Sequence, residues 1–135
     1  MAQVAVEHPN VTLFRRGLEA FNSGDIDTVR SLLADDVVWH TSGRARYSGD
    51  THGIEETLGL FLNLAQDTNG TLRLDVHDIL ANDTHAVALL TVHWEFEGKA
   101  FEDNAVQVVH IRDGKTTESW FLDTNPYLFD EQFPA

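Results

Sequence analysis

The chain has 135 residues, no cysteine and a formal net charge of −13 at pH 7. This length predicts one domain, residues 1–135, and the lack of cysteine excludes disulfides, thiolate metal sites and cysteine nucleophiles. Because nucleic acids and anionic membranes are bound by neutralising phosphates, the acidic charge argues against both as partners. No stretch resembles a signal peptide or a membrane span, so we expect a cytoplasmic protein.

Apolar residues at three- and four-residue steps predict three helices in the first half of the chain. The first should be capped at Asn10 or Thr12 and end at Gly24, where a left-handed residue is expected. The three predicted helices cover Asn10 to Gly24, Asp25 or Ile26 to Asp36, and Ile54 to about Gly70.

Strand patterns dominate the rest of the chain. A short β-branched and aromatic strand is predicted at 37–41, and the glycine-rich segment 42–53, which carries Tyr47 and His52, is predicted to be a mobile loop that can close over a pocket. From Thr71 apolar and polar residues alternate over four strands, and residues 126–135 are expected to form a loosely packed tail. Three helices followed by these strands predict an α+β fold, with the helices on one face of a curved, mostly antiparallel sheet.

The turns between strands predict which side chains share a face of the sheet. A two-residue turn at Asp113-Gly114 places Asn104 opposite Asp123, and a turn at either Glu97-Gly98 or Gly98-Lys99 places His93 on the same face. We call this the predicted inner face, and an apolar pocket with a few convergent polar groups is typical of a small-molecule site. Its members are Leu72, Leu74, Val76, Asp78, Leu89, Thr91, His93, Asn104, Val106, Val108, Ser119, Phe121 and Asp123.

The opposite face of the predicted sheet is also apolar, and it includes Trp94 and Trp120. An apolar patch on the uncovered side of a sheet is typical of a protein interface. We therefore expect a homodimer that packs through the outer sheet face.

Three segments of the sequence, "SGDIDTVRSLLADDVVWH", "YSGDTHGIEETLGLFLNL" and "HIRDGKTTESWFLD", resemble the SnoaL-like polyketide cyclase family of the nuclear-transport-factor-two-like superfamily. The resemblance implies a cone-shaped α+β barrel and a cofactor-free aldol closure, in which an Asp at the end of the last strand acts as acid/base. Asp123 matches that position, and His93 or His110 could correspond to an assisting histidine. The carboxylates of related ketosteroid isomerases would fall near Thr41 and Val108, which argues against that reaction.

The resulting hypothesis is a cofactor-independent enzyme for a carbonyl-bearing cyclic or polyketide-like compound, with Asp123 as acid/base and His93 and Asn104 holding the substrate oxygen. The alternatives are that Asp123 caps a turn, that the histidine and asparagine are ordinary strand residues, and that the whole chain is a non-catalytic domain binding an apolar ligand. No metal ligand set is evident. The predicted pocket residues are Phe14, Trp39, Tyr47, Phe61, Val106 and Phe121.

Overall fold

The computed structural model describes residues 6–135. The N-terminal segment, for which no signal peptide is predicted, lies partly outside the described residues. The helices are α1 (Pro9–Ser23), α2 (Ile26–Ser31), α3 (Ile54–Asp67) and α4 (Pro126–Gln132). The strands are β1 (Leu33–Thr41), β2 (Gly49–His52), β3 (Arg73–Ala81), β4 (His85–Phe96), β5 (Lys99–Arg112) and β6 (Lys115–Asp123).

The six strands form one sheet in the order β2-β1-β6-β5-β4-β3. Every neighbouring pair is antiparallel except β1 and β6. Phe14 and Leu18 of α1 pack in one core cluster with Leu74 and Val92 of the sheet. The predicted α+β class is confirmed, with the helices against a mostly antiparallel sheet.

The signals at the ends of the first helices act largely as predicted. Gly24 ends α1 with φ of 72°, and Asp25 accepts a hydrogen bond from the Thr28 backbone NH (3.2 Å) to start α2. The cap at the start of α1 is His8, whose Nδ1 accepts from the Asn10 NH, instead of Asn10 or Thr12. The second helix is shorter than predicted because the chain is already in β1 from Leu33.

Helix α3 carries a glycine in its interior, at position 59. A Cβ atom there would meet no other atom within 4 Å. Packing therefore does not require a small residue at this position. Glycine inside a helix destabilises it by about 1 kcal/mol relative to alanine. No helix within residues 6–135 is long and apolar enough to cross a membrane.

Segment 42–53 is more ordered than the predicted mobile loop. Within it Gly49–His52 form β2, which pairs with β1, and Tyr47 is 7% exposed. Gly43 allows this segment to approach α4, because a Cβ at its φ of 89° would lie 2.7 Å from Asp130 Oδ1. That Asp130 oxygen accepts a hydrogen bond from the Arg44 backbone NH (2.8 Å), so the segment is fixed to the C-terminal helix.

The C-terminal residues are not the loosely packed tail that was predicted. Pro126 opens α4, and Phe133 directly after it is 1% exposed, with its ring centroid 4.8 Å from Phe96 and 4.6 Å from Phe129. Trp94 Nε1 donates to Gln132 Oε1 (2.7 Å). Trp94 is therefore a core residue beneath α4, and its predicted place on an outer dimer surface is wrong.

Both predicted hairpin turns of the last three strands have two residues. Asp113 and Gly114 have positive φ, as do Glu97 and Gly98, which decides between the two registers left open by the sequence. Positive φ at both central residues is the geometry of a type I′ turn, which fits the twist of adjacent strands.

Two register shifts reverse the face of the central strands. In the β5–β6 pair Ile111 lies opposite Thr116 but His110 lies opposite Glu118, so Thr117 is an extra residue. A similar shift at His77 separates Val76, opposite Leu90, from Asp78, opposite Leu89. Because successive strand residues point to opposite faces, one extra residue moves every later side chain to the other side.

The predicted inner face is consequently right for most of β3 and for β6, and wrong for β4 and β5. Leu72, Leu74, Val76, Ser119, Phe121 and Asp123 lie on the helix-covered face, whereas the β4 and β5 members and Asp78 lie on the outer face. Asp123 is opposite Ala105 instead of Asn104. On β4 and β5 the helix-covered face is lined by side chains that were predicted to lie on the outer face, including Leu90, Val92, Trp94, Ala105 and Val109.

Candidate functional site

A cavity of about 140 Å³ lies between the helices and the covered face of the sheet. This volume is close to that of cavities that admit a single benzene ring, roughly 150 Å³. Most of the wall is apolar, and its aromatic members come from α1, β1, segment 42–48, α3, β4, β6 and α4. They are Phe14, Phe21, Trp39, Tyr47, Phe61, Trp94, Phe121 and Phe129.

Asp123 is the acidic group on which the chemistry of this cavity depends. It lies at the C-terminal end of β6, partly buried in the cavity wall, and its backbone NH donates to Ser42 Oγ (3.0 Å). Burial first, and then the charges of Asp103 and Asp130, raise the pKa of the Asp123 carboxyl from 3.8 to about 6, although a hydrogen bond with the side chain of Ser42 opposes them. A carboxyl with this pKa can both accept and return a proton near neutral pH.

The two other carboxylates of the wall are held by backbone and side-chain donors. Asp103 accepts from Thr124 Oγ1 (2.7 Å) and from the Asn125 NH (3.0 Å), in the turn that leads from β6 to α4. Asp130 accepts from the Arg44 NH. The turn-capping role considered for Asp123 therefore belongs to Asp103, which leaves the Asp123 carboxyl available to the cavity.

Gln107 is a buried polar residue of the cavity wall that the sequence analysis missed. Its side chain is 3% exposed, its Nε2 donates to Ser119 Oγ (3.1 Å), and its Oε1 has no hydrogen-bond partner. Because a buried acceptor without a partner costs free energy, this amide is suited to a polar group of a ligand. It lies on β5 opposite Phe121, two residues along the covered face from the Ala105–Asp123 pair.

Five of the six predicted pocket residues line the cavity: Phe14, Trp39, Tyr47, Phe61 and Phe121. Trp39 and Phe61 contact each other edge to face, with ring centroids 4.9 Å apart. Val106 is the exception, because it pairs with Leu89 and Leu122 on the outer face.

His93 and Asn104 share a face, as predicted, but it is the outer one, away from Asp123. His93 Nε2 lies 2.8 Å from Asp75 Oδ2, and its Nδ1 lies 3.5 Å from Glu102 Oε2. Asn104 Oδ1 accepts from Thr91 Oγ1 (3.2 Å). The predicted convergence of these two side chains with Asp123 is wrong, and the cause is the extra residue at Thr117.

A second group of titratable side chains lies on the outer face around His40. Its Nδ1 is 2.6 Å from Asp50 Oδ1 and its Nε2 is 2.6 Å from Glu118 Oε2. Hydrogen bonding to Glu118 first, and then to Asp50, raises the pKa of His40, since only the imidazolium form can donate to both. This cluster joins β2, β1 and β6 on the side away from the cavity and contributes nothing to its wall. Within residues 6–135, no three His, Asp or Glu side chains converge as metal ligands would.

A family model described as the SnoaL-like domain matches residues 14–119. An uncharacterized protein of Mycobacterium tuberculosis is 24% identical over 109 residues, which cover 80% of this chain and 83% of that protein.

Two solved structures have a similar fold. Bal32a, from a soil-derived mobile gene cassette, is 29% identical, with a TM-score of 0.87 over 92% of this chain and 95% of that one. IdmH of Streptomyces antibioticus, for which a polyketide cyclase function is proposed, is 27% identical, with a TM-score of 0.74 over 87% of this chain and 94% of that one. With the family model spanning most of the chain, from α1 to β6, this protein belongs to the SnoaL-like domain family.

Proposed function

We propose that this protein is a cofactor-independent enzyme that performs acid/base chemistry, an aldol cyclisation or an isomerisation, on a carbonyl-bearing cyclic or polyketide-like substrate. The observation that carries the proposal is the Asp123 carboxyl, whose pKa is raised to about 6 in the wall of an apolar cavity. The alternative, a domain that only binds an apolar ligand, gives no reason for an ionisable group in that position.

The first step of the proposed reaction is removal of a proton from a carbon next to the substrate carbonyl. The ionised form of Asp123, which predominates at pH 7 when the pKa is about 6, accepts this proton, and the carbon electron pair becomes an enolate. In a cyclisation the enolate carbon then forms a bond to a second carbonyl carbon of the same molecule. The alkoxide produced there takes the proton back from Asp123, so the enzyme returns to its starting state.

Gln107 is the group that we propose to hold the enolate oxygen. Rotation of its carboxamide by 180° would direct Nε2 to the unpartnered position and leave Oε1 to accept from Ser119, whose hydroxyl can either donate or accept. An amide NH fixed in a buried site stabilises developing negative charge without reorganisation. This role replaces the one that the sequence analysis gave to His93 and Asn104.

Exchange of α-protons for deuterium in cyclic ketones such as 2-tetralone, followed by NMR, tests the proposal without knowledge of the substrate. We expect Asp123→Asn to lower the exchange rate at least about 100-fold, because the amide cannot accept the proton. Asp36→Asn, at an exposed position of β1, is the matched control and should retain the wild-type rate. Ketones that bind, as judged by quenching of Trp39 and Trp94 fluorescence, but exchange no faster than in buffer would favour the binding-domain alternative.

We also propose that the protein forms a homodimer through the outer face of its sheet. Leu80, Leu89 and Leu122 lie on that face and are 55%, 39% and 45% exposed, and exposed apolar groups on one sheet face are typical of an interface. Trp120 remains on this face, whereas Trp94 does not.

Sedimentation analysis of a Leu89→Gln, Leu122→Gln variant tests the dimer. We expect the wild type to sediment as a dimer. The dissociation constant of the variant dimer should be at least about 100-fold higher, because central apolar contacts dominate such interfaces. Leu62→Gln is the control, since Leu62 is 54% exposed but lies on α3. A monomeric wild type would contradict the proposal.

A further inference from the structure

A second concavity, a surface groove of about 540 Å³, lies beside the cavity, between α3 and β2. One side of it is formed by residues at helical spacing along α3, namely Glu56, Gly59, Leu60, Asn63 and Asp67. The facing side comes from β2 and from the segment before it. The groove is more open to solvent than the cavity.

Tyr47 and Leu60 belong to the walls of both the groove and the cavity. The Tyr47 ring is buried, with its centroid 6.0 Å from that of Phe129 and 5.8 Å from that of Phe133, and its hydroxyl donates to Asp67 Oδ2 in the groove. The two spaces are therefore adjacent, and these two side chains lie between them.

Gly59 borders the open space of the groove. It is an interior residue of α3 that lines the groove, and a side chain there would enter free space, so local packing does not require glycine. A larger side chain at this position would therefore extend into the groove.

The groove is polar, and its charged groups are already paired. The one guanidinium, that of Arg46, lies 3.6 Å from Asp67, while Asp50 is paired with His40 and Glu56 accepts from the His52 backbone NH. Because Asp50 is bound to His40 on the outer face, two carboxylates, those of Glu56 and Asp67, face one guanidinium, which disfavours an anionic ligand group. Their remaining oxygen lone pairs, with the Asn63 amide, can bind hydroxyl groups.

We propose that the groove is the outer half of the ligand site and binds an uncharged, hydroxylated arm of a ligand whose ring lies in the cavity. The inference rests on the proposed function in one respect, that the cavity takes a ring. A cavity that admits about one ring is too small for a polyketide-like compound as a whole, and the adjoining groove supplies the missing volume.

Three single-ring probes separate the two halves of the site: anisole, phenyl β-D-glucoside and phenyl phosphate, each titrated into the protein and followed by NMR. We expect the glucoside to bind about tenfold more tightly than anisole, which corresponds to one or two additional hydrogen bonds. Phenyl phosphate should bind more weakly than the glucoside because of the groove carboxylates.

Substitution at Gly59 tests whether the gain comes from the groove. Gly59→Leu, which fills the groove, should abolish the advantage of the glucoside and leave the affinity for anisole unchanged, whereas the matched control Gly59→Ala should retain the advantage. Equal binding of anisole and glucoside to the wild type would overturn the groove proposal alone, as would retention of the advantage in Gly59→Leu. Failure of anisole itself to bind would overturn the cavity proposal and this one together.

Discussion

Asp123→Asn should increase the free energy of unfolding at pH 8 by up to about 3 kcal/mol, because the shift from 3.8 to about 6 is about two pKa units at 1.36 kcal/mol each. The sign follows from the raised pKa of the folded state, which favours the protonated carboxyl. Stability from this group is fully present below pH 4, is lost as the pH rises towards 6, and stays lost above it. Asparagine remains uncharged and avoids that loss.

Denaturant unfolding at pH 4, 6 and 8 measures this effect. The wild type and Asp123→Asn should have similar stabilities at pH 4 and separate progressively as the pH rises, while Asp36→Asn follows the wild type throughout. Parallel pH profiles for the wild type and Asp123→Asn would show that the folded protein does not raise this pKa.

The same substitution is expected to remove catalysis and to stabilise the fold. Functional groups that are held in unfavourable surroundings have this property, because the surroundings that make the group reactive also destabilise it. A residue that only capped a turn would behave in the opposite way, since its loss would remove stabilising hydrogen bonds. Stability and rate measured together therefore distinguish the acid/base role from the structural one.

Phe133→Ala should lower the free energy of unfolding by about 3–5 kcal/mol, the range found when a buried aromatic ring is truncated in a packed core. Phe133 is 1% exposed and its ring contacts Tyr47, Phe96 and Phe129, so it joins α4 to the cavity wall and to the sheet. Thermal or denaturant unfolding measures the loss.

Tyr127→Ala is the matched control for Phe133, because Tyr127 is an aromatic residue of α4 that is 72% exposed. Its loss should change the stability by no more than about 0.5 kcal/mol. A similarly small effect of Phe133→Ala would mean that the C-terminal residues are a loosely packed tail after all.

The parts of the fold with local signals were predictable from the sequence. Gly24 and Asp25 end one helix and start the next as predicted, and the Asp113-Gly114 turn has the predicted two residues. The C-terminal helix α4 was missed although Asn125-Pro126 is a typical helix start, with Leu128, Phe129 and Phe133 at helical spacing after it.

The site was predicted only in part, because the face on which a strand residue lies depends on the number of residues between it and the turn. Asp123 and the aromatic residues on helices and on β1 were found, since a covered helix face or a strand end does not depend on the β5–β6 register. Gln107 and Asp103 were missed, and His93 and Asn104 were wrongly included, because an extra residue at Thr117 has no local signal in an alternating strand. Both faces of the β4–β5 hairpin are apolar enough to look like the core.

The two register shifts, at His77 and Thr117, also bear on how this fold can acquire new chemistry. A single codon lost or gained at such a point would exchange a whole row of side chains between the interior and the exterior while the backbone hydrogen bonds of the sheet persist. Two descendants of one ancestor could thus differ by one residue in length and share almost no cavity side chains on their central strands. For chains of this kind, alignments that ignore the position of an insertion would transfer the wrong residues between relatives.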